Sequence, residues 1–507
     1  MANAVTAFLD EHVAVGEGER PAIVTPSGTV TYAQLLELVN RTGHALAAAG
    51  VEVEQRVAML LPDGVAWAAV FFGALRIGAV AVPLNTRLAP ETAAAMLRDS
   101  RARVLVADAA LAKPLRPWLG DLPHLRLVIE SGADAPSPSL EERQAGARVD
   151  LIPEPMSGDD MAFWLYTSGT TGGPKAAIHL HRDLAECRHY GLDVLGAGAG
   201  DRMLASSKLF FAYALGNALL IPLFVGARTF LDPRWAEPAT VLDTVRAFRP
   251  TLLFSVPTFY ARLLRAEAPC DLFESVRACV SAGERLPAEL YDAWRKRFGV
   301  EILDGLGATE TIFMVLSNRP GESRAGVTGR PVPGTEARLL AADGAEVPDG
   351  TPGVLHVRTP SASPAYWSRL DQSRRTFVGD WFRTGDVMVR DPDGAFRHLG
   401  REDDLFKVAG MWVAPGEVES VLLSHPGVVD AAVVGAEDAG GLVKPFAFVV
   451  AGDSPRPDGL VAELTALASE RLPAHQRPRR ITVLDALPRT ATGKLQRFAL
   501  RARAESR

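Results

Sequence analysis

The chain has 507 residues, a net charge of −6 at pH 7 and a pI near 6.0, with 48% hydrophobic and 22% charged residues. That length allows two to four structural units and a large core. An acidic balance without any long run of like charge leaves no footprint for nucleic acid, so small molecules or proteins are the expected partners. Three cysteines, Cys187, Cys270 and Cys279, lack CxxC spacing and suggest neither a disulfide framework nor a zinc site. The N-terminal MANAVTAFLDEHVAV carries Asp10 and Glu11 where a signal peptide would be apolar, so the cytoplasm is expected. The most membrane-like stretch, residues 65–84, is interrupted by Gly73, Arg76 and Gly78 and ended by Pro83, and reads as a buried helix followed by a buried strand.

In chain order, YAQLLELVNRTGHALAAAG (32–50) predicts an amphipathic helix capped by Thr31 and stopped by Gly50. Short apolar runs, RVAMLL (56–61), RVLVAD (103–108), LRLVIE (125–130), MAFWLY (161–166) and TLLFSV (251–256), predict strands that alternate with helical patterns such as ATVLDTVRAFR (239–249). That alternation marks an α/β architecture with largely parallel sheets. From about residue 325 the texture turns β-rich, and DPDGAFRHLG predicts a hairpin whose turn is Asp393-Gly394. A small α+β unit closes the chain: GEVESVLLSHPGVVDAAVVGAED reads helix, turn, strand, with a further helix near 459–471 and a strand near 480–485. The polar junction LGREDDLFKVAG (399–410) divides a large domain, residues 1–402, from a small one, residues 403–507.

Chemistry concentrates first in YTSGTTGGPK (166–175). Glycines let backbone N–H groups turn toward an anion, hydroxyls add donors and Lys175 adds positive charge, which is the composition of a polyphosphate cradle. It is not a Walker A loop, because Pro174 and Ala176 stand where that motif needs Gly and Ser or Thr. Only seven of the 54 basic residues are lysine, so each lysine is a mild pointer to a place where Arg will not serve.

This loop resembles the signature of the adenylate-forming superfamily: acyl- and aryl-CoA ligases, peptide-synthetase adenylation domains and firefly-type luciferases. SAGE (281–284), DGLGATE (304–310), TGD (384–386), GREDDLFKVAGMWVAPGEVE (400–419) and PRTATGKLQR (488–497) follow in the family's order. The resemblance implies a large N-terminal domain of α/β sheets with a β-rich subdomain, and a mobile C-terminal domain. It implies that a carboxylate and MgATP give an acyl-AMP, from which a thiol then displaces AMP. A carboxylate attacking an anionic phosphate needs positive charge where negative charge accumulates. One cation about 4 Å away at an effective dielectric near 20 is worth roughly 4 kcal/mol, about a thousandfold in rate.

Residue by residue, the resemblance implies a phosphate loop of Thr167, Ser168, Gly169, Thr171, Gly172 and Lys175. Lys494 matches the adenylation lysine, and Glu310 matches the magnesium ligand, with Thr170 assisting. Gly283, Glu284, Asp304, Gly305 and Leu306 match segments that line the adenine, Thr309 joins them in the AMP-binding set, and Asp386 matches the ribose carboxylate, with Arg401 beside it. Leu306 departs from the Tyr many members place there. Asp403 matches the hinge, and Lys407, Gly410 and Trp412 match the thioester step. KLFFAYALGN (208–217) most resembles the benzoate-CoA ligases, which carry a very similar KLFFAYGLGN. The implied acyl pocket is Ala212, Tyr213, Gly307, Phe313 and Met314, with Phe210 and Phe211 either pocket or core. Phe313 stands where those ligases usually have His, which argues against an acid presenting a polar group there. The implied substrates are a small aromatic monocarboxylate, ATP and CoA. A carrier-protein thiol is the alternative to CoA, and a non-catalytic nucleotide-binding regulator is a reading of another class. Large relatives suggest a homodimer.

Overall fold

A computed structural model describes residues 3–167, 173–409, 411–438, 441–452, 459–489 and 495–505. Two sheets sandwich the main core. In the six-stranded sheet the order is Leu127–Ser131, Val104–Asp108, Arg56–Leu60, Val80–Pro83, Met161–Thr167, Lys175–Leu180, parallel except for the last antiparallel pair. The nine-stranded sheet is parallel through Ile302–Gly307, Ala278–Ser281, Leu252–Ser255, Arg202–Ala205, Arg228–Phe230 and Pro21–Thr25, with antiparallel strands at both edges. Apolar side chains of both sheets join one cluster around the helices Tyr32–Ala48 and Val65–Arg76. Strands buried on both faces are continuous apolar runs rather than alternating ones, which is why their sequences were legible.

Thr31 caps its helix through a reciprocal capping box with Gln34. Arg76, the residue that broke the apolar run, is buried because Asp10 accepts two hydrogen bonds from it at 2.7 and 2.8 Å. Cys187 and Cys279 are buried and Cys270 is exposed. No helix among the described residues is long and apolar enough to cross a membrane.

The β-rich subdomain is a five-stranded sheet in which Trp381–Arg390 pairs with Phe396–Arg401 through the expected Asp393-Gly394 turn. It clasps the larger sheet at residues 328–329, where Phe396 N–H donates to the Gly329 carbonyl at 2.7 Å and Thr328 N–H to the Phe396 carbonyl at 2.8 Å. The C-terminal unit holds the hairpin Phe406–Val408/Met411–Val413, the helices Pro415–Leu423 and Leu460–Arg471, and the sheet Val428–Glu437, Val443–Ala451, Arg480–Leu484. It has apolar cores of its own, as a separate small domain requires.

Candidate active site

The antiparallel pair Met161–Thr167/Lys175–Leu180 carries the glycine-rich loop at its end, with Thr167 opposite Lys175. Ser168, Gly169, Thr170, Thr171 and Gly172 lie outside the described residues, as do Gly410 and Lys494. Lys175 Nζ stands 4.0 Å from Glu310 Oε1. The Tyr366 hydroxyl donates to that same oxygen at 2.5 Å, and the ammonium lies 3.8 Å from the centre of the Tyr366 ring. Glu310 is buried, and its Oε2 has no hydrogen-bond partner among the described residues. Four positions along the same strand, on the same face, His179 Nε2 donates to the Thr309 carbonyl at 2.9 Å. One strand therefore holds the Thr309-Glu310 segment at backbone and side chain.

Asp386 lies on Trp381–Arg390 with His398 Nε2 3.0 Å from Oδ1 and Arg401 Nη1 3.1 Å from Oδ2. Burial alone would raise its carboxyl, but Arg401 and then His398 outweigh it and hold the carboxyl below the usual range. Gly385, at φ +75°, leaves the space that Arg401 fills, since a Cβ there would come within 2.9 Å of Nη2. Arg401 sits in the fields of both Asp386 and Glu310. Asp304, at the end region of a parallel strand, is buried with Oδ1 unpaired among the described residues, and burial pushes its carboxyl well up. Gly305 pairs with Ser317 and Leu306 with Leu316. Gly283, at φ +85°, turns the chain so that Glu284 accepts from the Thr258 N–H at 3.1 Å.

The residues expected to form the acyl pocket lie where two irregular segments face each other. Ala212–Leu215 is one turn of α-helix that widens into a π-helical turn at Gly216–Leu220, where Asn217 Nδ2 donates to the Tyr213 carbonyl at 2.8 Å. The Tyr213 hydroxyl is committed to the Val280 and Ser255 carbonyls at 2.9 and 3.1 Å, so the pocket side receives ring rather than hydroxyl. Opposite, Ile312 adopts φ +60°, a costly conformation for a β-branched residue, which turns Phe313 against Gly216. A Cβ on Gly216 would lie 3.0 Å from the Phe313 ring, and one on Gly307 2.8 Å from the Phe313 carbonyl. Met314 is buried, with its sulfur 3.3 Å from where a Gly305 Cβ would stand. The segment starts from Lys208, which is buried 3.8 Å from Asp63 Oδ2 and donates to the Asp232 carbonyl at 2.6 Å. Burial pushes the Asp63 carboxyl up to about 6, against the opposing pull of Lys208.

Lys407 and Trp412 pair across the exposed hairpin, with the ammonium 4.7 Å from the indole centre. Asp403 is exposed in the turn between Arg401, bonded to the large domain, and Asp404, 3.3 Å from Arg497 of the small one. Sequence reasoning missed Tyr366, His179 and His398. Each is a lone residue in an unremarkable context, and only pairing across distant strands brings it to the site.

On this α/β domain a lysine and a buried glutamate stand at the end of the strand pair that carries the glycine-rich segment, with a buried aspartate held by an exposed arginine in the β-rich subdomain. The chain belongs to the AMP-binding enzyme family: residues 9–367 match the AMP-binding enzyme domain and residues 417–494 its C-terminal domain. It is 42% identical to a 4-hydroxybenzoate–CoA/benzoate–CoA ligase of Rhodopseudomonas palustris, over 98% of this chain and 94% of that one. Identity to a benzoate–CoA ligase of Thauera aromatica is 40%, over 98% and 95%. Among solved structures it is similar to the anthranilate CoA ligase AuaEII in complex with anthranoyl-AMP, with a TM-score of 0.95, 38% identity and coverage of 99% and 97%. A benzoate CoA ligase from Burkholderia xenovorans matches with a TM-score of 0.90, 39% identity and coverage of 99% and 100%.

Proposed function

We propose that this chain, an AMP-forming acid–thiol ligase of the aryl-CoA class, activates a small aromatic carboxylic acid with ATP and passes the acyl group to CoA. The observation that carries this reading is the convergence on Glu310, with Lys175 at 4.0 Å and Arg401 shared with Asp386. In the first step a carboxylate oxygen attacks the α-phosphorus and pyrophosphate leaves. In the second the thiol sulfur attacks the acyl carbon, AMP leaves and the thiol proton is released. Lys175 and the glycine-rich loop hold the phosphates, Lys494 bridges carboxylate and α-phosphate, and Asp386 accepts from the ribose hydroxyls. The unpaired Asp304 oxygen is a hydrogen-bonding position for the polar edge of adenine.

Glu310 fits a divalent cation as a hard oxygen donor with one oxygen open, and Thr170 is its companion. No group of three or more His, Cys, Asp or Glu that could hold a metal occurs among the described residues. That donor set suits magnesium arriving with ATP, where it neutralises phosphate charge. For the acid, committed Tyr213 and apolar Phe313 leave a slot for a flat ring without a polar group at that edge, because such a group would lose about 1–3 kcal/mol unpaired. Residues 1–402 and 403–507 act as two bodies about Asp403, and Lys407, Gly410 and Trp412, exposed or outside the described residues here, serve the thioester step after rotation.

The test is mass spectrometry of products from purified chain, MgATP and benzoate, anthranilate, hydroxybenzoates and short aliphatic acids, with and without CoA. An aryl-CoA product is expected. Acyl-AMP that persists with CoA would move the reading to a carrier-protein thiol, and ATP binding without pyrophosphate release would move it to a nucleotide-binding regulator.

A further inference from the structure

Residues 365–367 add themselves as an edge to the strand that leaves the glycine-rich loop: Ile178 N–H donates to the Ala365 carbonyl at 3.1 Å, and Trp367 N–H to the Ala176 carbonyl at 2.9 Å. Tyr366 between them is fixed on all sides. Its N–H donates to Ser373 Oγ at 3.0 Å, its ring meets Phe377 at 5.2 Å, and the next residue, Trp367, stacks on Trp164 at 4.5 Å. Only 3% of it is exposed, yet its hydroxyl reaches Glu310 Oε1 at 2.5 Å while its face carries the Lys175 ammonium.

We propose that Tyr366 is a positioning residue that spaces Lys175 from Glu310, keeping the ammonium available for phosphate and the carboxylate available for the cation that phosphate brings. Without a spacer, a lysine and a glutamate on flexible stems 4.0 Å apart would close into a direct ion pair, and each would neutralise the other. A phenol is suited to prevent this. It fixes one carboxylate oxygen as a neutral donor, so the full negative charge of Glu310 remains, and its π-face holds the ammonium without removing its charge. The inference rests on the reading of Glu310 as the carboxylate that serves the ATP-borne cation.

The experiment compares full-length wild type, Tyr366→Phe, Tyr366→Leu and Glu310→Gln by titrating Mn2+ with electron paramagnetic resonance in the presence of α,β-methylene-ATP. Steady-state KM values for MgATP and for the aryl acid are measured alongside, and melting curves confirm folding. Tyr366→Phe keeps the ring and its packing, and is expected to weaken Mn2+ binding roughly tenfold and to raise KM for MgATP with KM for the acid unchanged. Tyr366→Leu, which also removes the ring beneath the Lys175 ammonium, is expected to lose more. Wild-type Mn2+ affinity in both folded Tyr366 variants, with Glu310→Gln impaired, would overturn the inference and leave the Glu310 reading standing. Wild-type affinity in Glu310→Gln would overturn both. A chain that makes no acyl-AMP would fail the functional reading while the titration still decided the spacing role.

Discussion

Charge in the nucleotide site is set at the scale of single residues. Asp386 is held ionised by Arg401 and His398, so its contacts are complete at neutral pH and are lost only as pH falls below the ordinary carboxylate range. Asp386→Asn should therefore raise KM for ATP about tenfold or more while KM for the acid stays put, and an unchanged ATP KM would remove Asp386 from the nucleotide site. His181 is a case of the opposite chemistry. Burial lowers its pKa to about 4, with Ala4 N–H donating to Nδ1 at 3.3 Å and Nε2 unpaired among the described residues. The unfolded chain takes up this proton near pH 6.5 and the folded chain only near 4, so stability present above 6.5 is lost across that window, by up to about 3 kcal/mol. Denaturant midpoints measured from pH 7 to pH 4 should show this loss and show less of it in His181→Gln. Parallel pH slopes would rule out His181 as the source.

At the scale of elements, two glycines are decisive. Gly329 has φ +113°, and a Cβ there would lie 2.0 Å from the Ser317 carbonyl carbon, in the place where the β-rich subdomain clasps the large sheet. Gly329→Ala should cost roughly 3 kcal/mol or more, because neither backbone can yield. A melting temperature equal to wild type would mean that the clasp is not rigid. Gly216 lies in the π-helical turn under the Phe313 ring. Gly216→Ala should push that ring into the acyl slot, costing about 1–3 kcal/mol in overpacking and raising KM for the aryl acid but not for ATP. Equal changes in both KM values would place the ring outside the slot.

On the scale of the whole molecule, the small domain meets the large one where Gly416, at the start of the helix Pro415–Leu423, would bring a Cβ within 3.2 Å of Arg285 Nη1. Arg285 adjoins Glu284 and lies in the field of Asp304, so the small domain touches the large one beside two of the residues proposed for the nucleotide. Lys407 and Trp412 are exposed in the same arrangement. Gly416→Trp should disfavour it, slowing acyl-AMP formation more than transfer from preformed acyl-AMP to CoA and altering the small-angle scattering profile of the ligand-free chain. Equal slowing of both steps would show that the contact does not distinguish the two arrangements.

The continuous apolar strands, the capped first helix, the Asp393-Gly394 hairpin and the ordered motifs were determined by sequence alone, because each depends on neighbours a few residues away. The short edge hairpin Pro21–Thr25/Gly28–Thr31 was not legible, since a four- or five-residue strand is specified by the sheet it joins. The motifs gave Glu310, Asp386 and, beside it, Arg401 as candidates, but not Tyr366 and His398, which bond to Glu310 and Asp386. Tertiary structure alone decided that Tyr366 stands between Lys175 and Glu310, that His179 holds the Thr309 carbonyl, and that the Tyr213 hydroxyl is turned away from the acyl slot. Those contacts join segments 42 to 191 positions apart in sequence, as with Tyr213 to Ser255 and Lys175 to Tyr366, and no local pattern records which distant segments a fold will lay side by side.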